Sequence, residues 1–180
     1  MTNEKEFLIQ LQSPETRERA FRELMSLYKE RLYWHIRKIV ISHDDADDVL
    51  QNTFIKIYRS IHNFKGDSKL FSWMYRIATN EAITQINKNA KRLQTTNETI
   101  QQTALGNLPT DVYFDGNEIQ LKLQQAIAIL PQKQQLVFNM KYFDDLKYKE
   151  IAEILETSEG ALKASYHIAV KKLQTYLTSD

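Results

Sequence analysis

LKYKEIAEILETSEGALKASYHIAVKKL, residues 146–173, holds two amphipathic segments separated by a turn. The first, Tyr148 to Leu155, reads as a short helix whose buried stripe is Ile151, Ala152, Ile154 and Leu155. Ala152 is small enough to let another helix approach closely. Glu156-Thr157-Ser158-Glu159-Gly160 forms the turn. Ser158 is the expected N-cap of the second helix, because its hydroxyl can accept a hydrogen bond from an otherwise unpaired first-turn amide. Leu162, Tyr166, Ala169 and Leu173 then recur at helical spacing. Two helices joined by a tight turn are what a helix-turn-helix uses to push its second helix into the major groove of DNA. An ordinary helical hairpin inside an all-helical domain has the same pattern, so this segment alone leaves both readings open.

The composition favours helices. Among 180 residues there are only four glycines and three prolines, so long helices meet few interruptions. Valine is scarce, whereas Leu, Ile, Lys, Gln and Glu are plentiful, which favours helix over sheet. Cysteine is absent, which excludes disulfides, thiolate metal sites and a cysteine nucleophile. The sequence shows no signal peptide and no apolar run long enough to span a bilayer, and a cytoplasmic location is expected. A net charge of +1 is low for a nucleic-acid binder. The charge is nevertheless unevenly placed: acid gathers in Asp44, Asp45, Asp47 and Asp48, while Arg76, Lys88, Lys91 and Arg92 make a basic segment opposed only by Glu81. Such a chain is expected to bind free DNA weakly and to rely on a partner for affinity.

Working outward, Ser13-Pro14 predicts the start of a long helix with Phe21, Leu24, Met25, Tyr28, Leu32, Ile36, Ile39 and Val40 on its buried face. Ser42 to Asp45 interrupt it. Ala46, Val49, Leu50, Thr53, Phe54, Ile57, Tyr58 and Ile61 then give the clearest helical period in the chain. The loop His62 to Ser68 leads into a further helix ending near Arg92. From about Gln94 to Gly116 the periodicity dissolves, predicting a mobile linker unless a partner orders it. Its Ile100, Leu105, Leu108, Val112, Tyr113 and Phe114 exceed what a spacer needs, so docking onto another surface is possible. Beyond it, Ile119, Leu123, Ile127 and Leu130 stripe one helix, and Pro131 opens another with Leu136, Val137 and Met140 inside. The expected fold is all-α: a helical domain over 1–93, a flexible linker over 94–117, and a four-helix domain with a helix-turn-helix over 118–180.

Three constellations carry possible chemistry. Phe64, Phe71, Trp73 and Tyr75 lie close in sequence to Arg76, and Lys88, Lys91 and Arg92 follow on the same predicted helix. Rings offer stacking platforms for unpaired bases while cations follow the backbone. Polar edges for one extruded base are available from Asn63, Asp67 and Ser68. Met74 and Ile77 read as core, and Trp73 fits either role. On the helix over 47–61, Asp48, Gln51, Asn52, Lys56 and Arg59 lie off the apolar face; a solvated charged face is the default reading. On the last helix, Lys163, Ala164, His167, Ile168 and Lys171 form an outward side able to meet base edges, phosphates and thymine methyls. Lys171 and Lys172 equally suit the helix carboxy-terminal dipole.

No catalytic constellation accompanies these. His43-Asp44 is the dipeptide of metal phosphohydrolases, but further ligands at matching distances are missing, and His35, His43, His62 and His167 show no metal-ligand spacing. Asp44 to Asp48 lack the glycine and distal glutamate of a calcium loop. His35, on an otherwise apolar helix, is expected to be a satisfied core-edge residue. No enzyme activity, cofactor, metal or small-molecule substrate is expected.

In combination, DADDVLQNTFIKIYRSIHNF, FKGDSKLFSWMYRIATNEA and LPQKQQLVFNMKYFDDLKYKEIAEILETSEGALK resemble a bacterial RNA polymerase sigma factor of the extracytoplasmic-function (ECF) type. The likeness runs from about Phe21 to Leu173, leaving out the linker. It implies core RNA polymerase and promoter DNA as partners, together with an anti-sigma factor, often membrane-anchored. It further implies that the helix containing Asp47, Asp48, Gln51, Asn52, Phe54, Lys56 and Arg59 grips polymerase. Asn63, Phe64, Lys65, Gly66, Asp67 and Ser68 match the loop that captures a flipped base of the minus-ten element. Trp73, Tyr75, Arg76, Thr79 and Asn80 match the helix that engages the opened strand, with Lys88, Lys91 and Arg92 as backbone cations. Ser158, Glu159, Lys163, Ala164, His167, Ile168 and Lys171 fall where the minus-thirty-five element is read. The chain departs from the family where a run such as Ser-Arg-Leu-His-Arg-Ala-Arg is common. Ser165, Ile168 and Val170 occupy three arginine positions, which predicts low intrinsic DNA affinity for the second domain.

Two other readings stand beside this one: a two-domain repressor or activator, which would footprint an operator unaided, and a helical adaptor that binds only protein. The double substitution Lys163→Glu and His167→Glu separates the classes. A DNA reader is expected to lose activity, measured by transcription or operator binding, whereas an adaptor retains it.

Overall fold

A computed structural model describes residues 4–107 and 118–178, and among them every regular element is helical. Nine α-helices occur among the described residues: α1 Glu4–Gln12, α2 Arg17–Val40, α3 His43–Ser60, α4 Leu70–Arg92, α5 Asn97–Asn107, α6 Glu118–Ala128, α7 Gln132–Tyr142, α8 Tyr148–Leu155 and α9 Glu159–Thr178.

Helices α2, α3 and α4 pack on one another, and α1 closes one end. The residues marked by the α3 period are the ones it buries, apart from Tyr58, which is half-exposed. Phe21 of α2 meets Phe54 and Tyr58 edge-on, with ring centroids 6.2 and 4.9 Å away. Edge-to-face contacts of this kind orient the rings as well as burying area. The break between α2 and α3 is shorter than expected. Ile41 alone takes a positive φ of 66°, and Ser42 caps α3 by accepting from the Asp45 amide at 3.4 Å. His43, Asp44 and Asp45 are therefore already helical, with the two aspartates favourably placed at the positive helix end.

The amino terminus differs from the expectation. Ser13 does not cap a helix at Pro14; its carbonyl accepts from Thr16 and Arg17 in a turn that separates α1 from α2. Phe7 and Leu11 bury α1 against the rest.

The linker region also differs. Asn97–Asn107 is the helix α5, not irregular chain. Local propensity there is unremarkable, but burial of Gln101 and Leu105 supplies what periodicity does not announce. The Gln101 and Gln135 side-chain amides bond to each other at 3.0 and 3.2 Å, and Gln135 also donates to the carbonyls of Ala128 and Leu130. Leu105 joins Ile41 and Ala128 in a small core. Leu108, Val112, Tyr113 and Phe114 lie outside the described residues.

In the second half, α8 spans the residues expected of it. Glu156 closes it in a left-handed conformation with φ of 51°, while the Thr157 amide reaches back to the Ala152 carbonyl. Ser158 Oγ accepts from the Ala161 amide at 3.3 Å and caps α9. Of the predicted α6 stripe, Ile127 and Leu130 are buried, but Ile119 is exposed. The two halves share one continuous core, in which Met74, Ala78 and Ile36 are contiguous with Leu136, Met140, Leu146, Ile151 and Ile154.

Because Ile151 is fully buried in this shared core, Ile151→Ala is expected to cost about 2–5 kcal/mol of global stability. Chemical denaturation monitored by far-UV circular dichroism measures it.

Candidate nucleic-acid interface

The aromatic and basic residues singled out in the sequence are held on a frame of core contacts. Gly66, with φ of 78°, turns the loop between Ile61–Asn63, a short 3-10 turn, and α4. Gln12 ties that loop down by donating to the carbonyls of Ile61 and Phe64 at 3.0 and 2.8 Å. Asn63, Lys65, Gly66 and Asp67 are exposed on it, and Ser68 is half-buried. Phe64 lies on Trp73 with ring centroids 5.0 Å apart and planes tilted by 39°. Both rings are half-buried, so each keeps an accessible side. Trp73, Arg76 and Asn80 follow at helical spacing along α4, and Lys88, Lys91 and Arg92 are exposed at its far end.

Two residues expected to meet the strand do not face outward. Tyr75 and Thr79 are each only 1 % exposed. Tyr75 packs on Phe71 and His35, with ring centroids 4.2 and 4.6 Å away, and burial, reinforced by the nearby Asp144 charge, pushes its hydroxyl up to about 12. Thr79 Oγ1 lies 2.8 Å from His35 Nε2. They face α2 because α4 presents alternate faces to the core and to its outer side; the sequence period alone did not separate them.

His35 is the hub of this contact. Its Nδ1 donates to Asp144 at 3.0 Å, and Lys38 Nζ pairs with the other oxygen of the same carboxylate. Asp144 comes from the turn between α7 and α8, so this cluster joins the two halves. Burial pushes the Asp144 carboxyl up, but His35 and Lys38 overrule it and hold it below the ordinary carboxylate range. Asp144 was not marked in the sequence. One of two adjacent aspartates in a turn carries no local signal of burial, and its partners lie more than a hundred positions away.

On α3, Asp47, Asp48, Gln51, Asn52, Lys56 and Arg59 are exposed, whereas Phe54 is core. Their arrangement forms two grooves. One, between α2 and α3, has an apolar floor of Phe21, Met25, Leu50, Phe54 and Tyr58 and a rim including Asp47, Asp48, Gln51 and Arg59. The other, between α3 and α4, is polar and brings Asp48, Gln51 and Asn52 beside Lys88 and Arg92. Lys56 is paired with Glu81. On α9, Lys163, Ala164, His167, Ile168 and Lys171 are all exposed, as are Ser158 and Glu159 at its start. Leu162, Ala169 and Leu173 hold the opposite face in the core. Among the described residues no cluster of acids and histidines suited to a metal occurs, and no helix is long and apolar enough to cross a membrane.

The sequence matches Sigma-70 region 2 over residues 24–92 and Sigma-70, region 4 over residues 120–173. It is 33 % identical over 167 residues to the ECF RNA polymerase sigma factor SigW of Bacillus subtilis, covering 88 % of this chain and 89 % of that protein. It is 29 % identical over 154 residues to the ECF RNA polymerase sigma-E factor of Haemophilus influenzae, covering 81 % of each. The fold is similar to that of CnrH, solved in complex with the cytosolic domain of CnrY (TM-score 0.72, 21 % identity, 98 % of each chain covered). It is also similar to that of the sigma factor RpoE of Bartonella quintana, solved with the anti-sigma factor NepR (TM-score 0.67, 20 % identity, 89 % of this chain and 98 % of that one). The chain belongs to the sigma-70 family and, within it, to the ECF sigma factors. It directs RNA polymerase to promoters at the start of transcription.

The depressed Asp144 carboxyl sets a pH dependence. Its contribution to stability is fully present above the ordinary value of 3.8 and is lost as pH falls through the lowered folded-state value. At neutral pH Asp144→Asn is expected to cost about 3 kcal/mol, since it leaves His35 and Lys38 without their counter-charge. The difference between the wild-type and variant denaturation midpoints is expected to shrink as pH falls below that value.

Proposed function

We propose that this sigma factor meets its partners through three surfaces. The exposed residues of α3, Asp47, Asp48, Gln51, Asn52, Lys56 and Arg59, engage core RNA polymerase. The apolar-floored groove beside them supports this, since a partner helix can bury area there and find charges at its rim. The loop Asn63 to Ser68, with Trp73, Arg76 and Asn80, handles the opened minus-ten strand, and Lys88, Lys91 and Arg92 follow its backbone. Tyr75 and Thr79 serve this surface indirectly, by fixing α4 on α2. Lys163, Ala164, His167, Ile168 and Lys171 of α9, entered through Ser158 and Glu159, read the minus-thirty-five element.

The domain division follows the same logic: 1–93 for polymerase and the minus-ten element, 94–117 as connector, 118–180 for the minus-thirty-five element. Neither unit needs high affinity of its own, because polymerase holds both over one promoter and raises their effective concentration. The protein acts in the cytoplasm, has no catalytic activity of its own, and is held inactive by an anti-sigma factor, either soluble or membrane-anchored. The complex of the sigma factor RpoE with the anti-sigma factor NepR supports that mode of control.

The observation that carries the reading is the Phe64–Trp73 pair: a ring of the tethered loop lying tilted against a ring in the first turn of α4, both half-buried, beside polar and basic side chains. An unstacked base has the shape and π-face to take the place of one ring against the other. Run-off transcription with heterologous core polymerase on a promoter library tests the assignment. Loss of one stacking surface is worth about 1–3 kcal/mol, or roughly 5- to 150-fold. Phe64→Ala is therefore expected to reduce open-complex formation, read by permanganate reactivity, by roughly that factor while leaving polymerase binding unchanged. Equal loss of both would overturn the base-trapping role.

A further inference from the structure

Ile168 is 45 % exposed in the middle of α9. The helix cannot turn to cover it. Leu162, Ala169 and Leu173 fix its inner face in the core, and Tyr166 stacks on Phe138 with ring centroids 5.8 Å apart. Ala164 stands four residues before Ile168 and so on the same side of the helix, and Lys171 follows three residues after it. Lys163 sits off this stripe. Its ammonium lies 5.7 Å from the centroid of the Tyr148 ring on α8, an attraction that draws its charge towards that helix. The centre of the outward face therefore carries hydrocarbon, bordered by His167 and Lys171.

A β-branched side chain on a helix is held close to one rotamer, so Ile168 offers a surface already in place before DNA arrives. Among the groups that base pairs show in the major groove, the 5-methyl of thymine is the apolar one. A hydrogen-bonding base edge pressed on isoleucine loses water and gains no partner. A methyl group gains by leaving water. We propose that Ile168, backed by Ala164, determines base choice at one position of the minus-thirty-five element, by taking the 5-methyl of a thymine and not by matching a hydrogen-bond pattern. Lys171 meets phosphate in any sequence, so it adds affinity without choosing a base. Cytosine methylated at C5 shows the same group in the same groove, so the patch also favours 5-methylcytosine over cytosine. This inference rests on the assignment of α9 to the minus-thirty-five element.

The test uses the full chain with core RNA polymerase. Run-off transcription from templates randomised over the upstream window identifies the preferred minus-thirty-five sequence. Its thymines are then replaced one at a time by deoxyuridine, which keeps the pairing and removes only the methyl. At one of them the affinity for the promoter is expected to fall about fourfold, the worth of one buried methyl group. At the same position 5-methylcytosine is expected to bind about fourfold better than cytosine. In Ile168→Ala both ratios are expected to drop below about twofold. Ile9→Ala, which trims an exposed isoleucine of α1, is expected to leave both ratios as in the wild type. A preferred element without thymine, no loss with deoxyuridine, or an unchanged methyl effect in Ile168→Ala overturns the inference. The α9 assignment survives those results so long as Lys163→Glu with His167→Glu abolishes the preference in the window. A window with no preference at all overturns the assignment, and the inference with it.

Discussion

A carboxylate that is almost completely removed from water must be met by positive charge and hydrogen-bond donors, or it will not stay ionised. Asp144 is in that position, and the answer to it comes from α2: His35 through Nδ1 and Lys38 through its ammonium. The turn between α7 and α8 is thereby pinned to the middle of the first helical body. Once the turn is pinned, α8 has little choice of neighbour. It comes down on α4, Ile151 and Ile154 enter the core shared with Met74 and Ala78, and the glutamates meet Lys69 and Arg76. A single buried acid thus sets how the two halves are registered.

Helix α4 does two jobs with different faces. Tyr75, Ala78, Thr79 and Ala82 are buried, and they make the helix rigid where it crosses α2. Trp73, Arg76 and Asn80 are what that rigidity positions. A surface for unstacked bases benefits from being built on such an element, because rings and cations already in place lose less freedom when a strand arrives. The loop before α4 is steadied in another way, through the side-chain amide of Gln12 on two loop carbonyls. Without that tether the Phe64 ring would have no fixed height above Trp73.

Much of this architecture can be read from periodicity. The α3 stripe and the α8–turn–α9 segment came out with only Tyr58, Ala152, Leu155 and Tyr166 less than fully buried, because a strong 3.6-residue repeat with a capping serine has few alternative solutions. The weak elements were those whose stability is not local. Helix α5 has a faint apolar pattern and is held by an exchange between Gln101 and Gln135 and by Leu105 in a small core. Ser13-Pro14, a good helix start by local rules, sits in a turn because α1 packs back through Phe7 and Leu11. Among the site residues, aromatic and cationic character pointed to the loop and α4, but not to which side chains face outward. Tyr75, Thr79 and Phe54 carry the right chemistry and lie on the inner sides of their helices.

The amino-acid sequence by itself determined an all-helical chain, a capped helix-turn-helix, a basic aromatic segment and the sigma-factor likeness, since each depends on neighbours within a few helical turns. Only the tertiary structure decided that a histidine and a lysine of α2 would hold an aspartate more than a hundred residues away, and that Glu150 and Glu156, near the two ends of α8, would pair with Lys69 and Arg76. Those pairings depend on how two amphipathic bodies dock. Local pattern says which side of a helix is apolar, but not which partner it finds there.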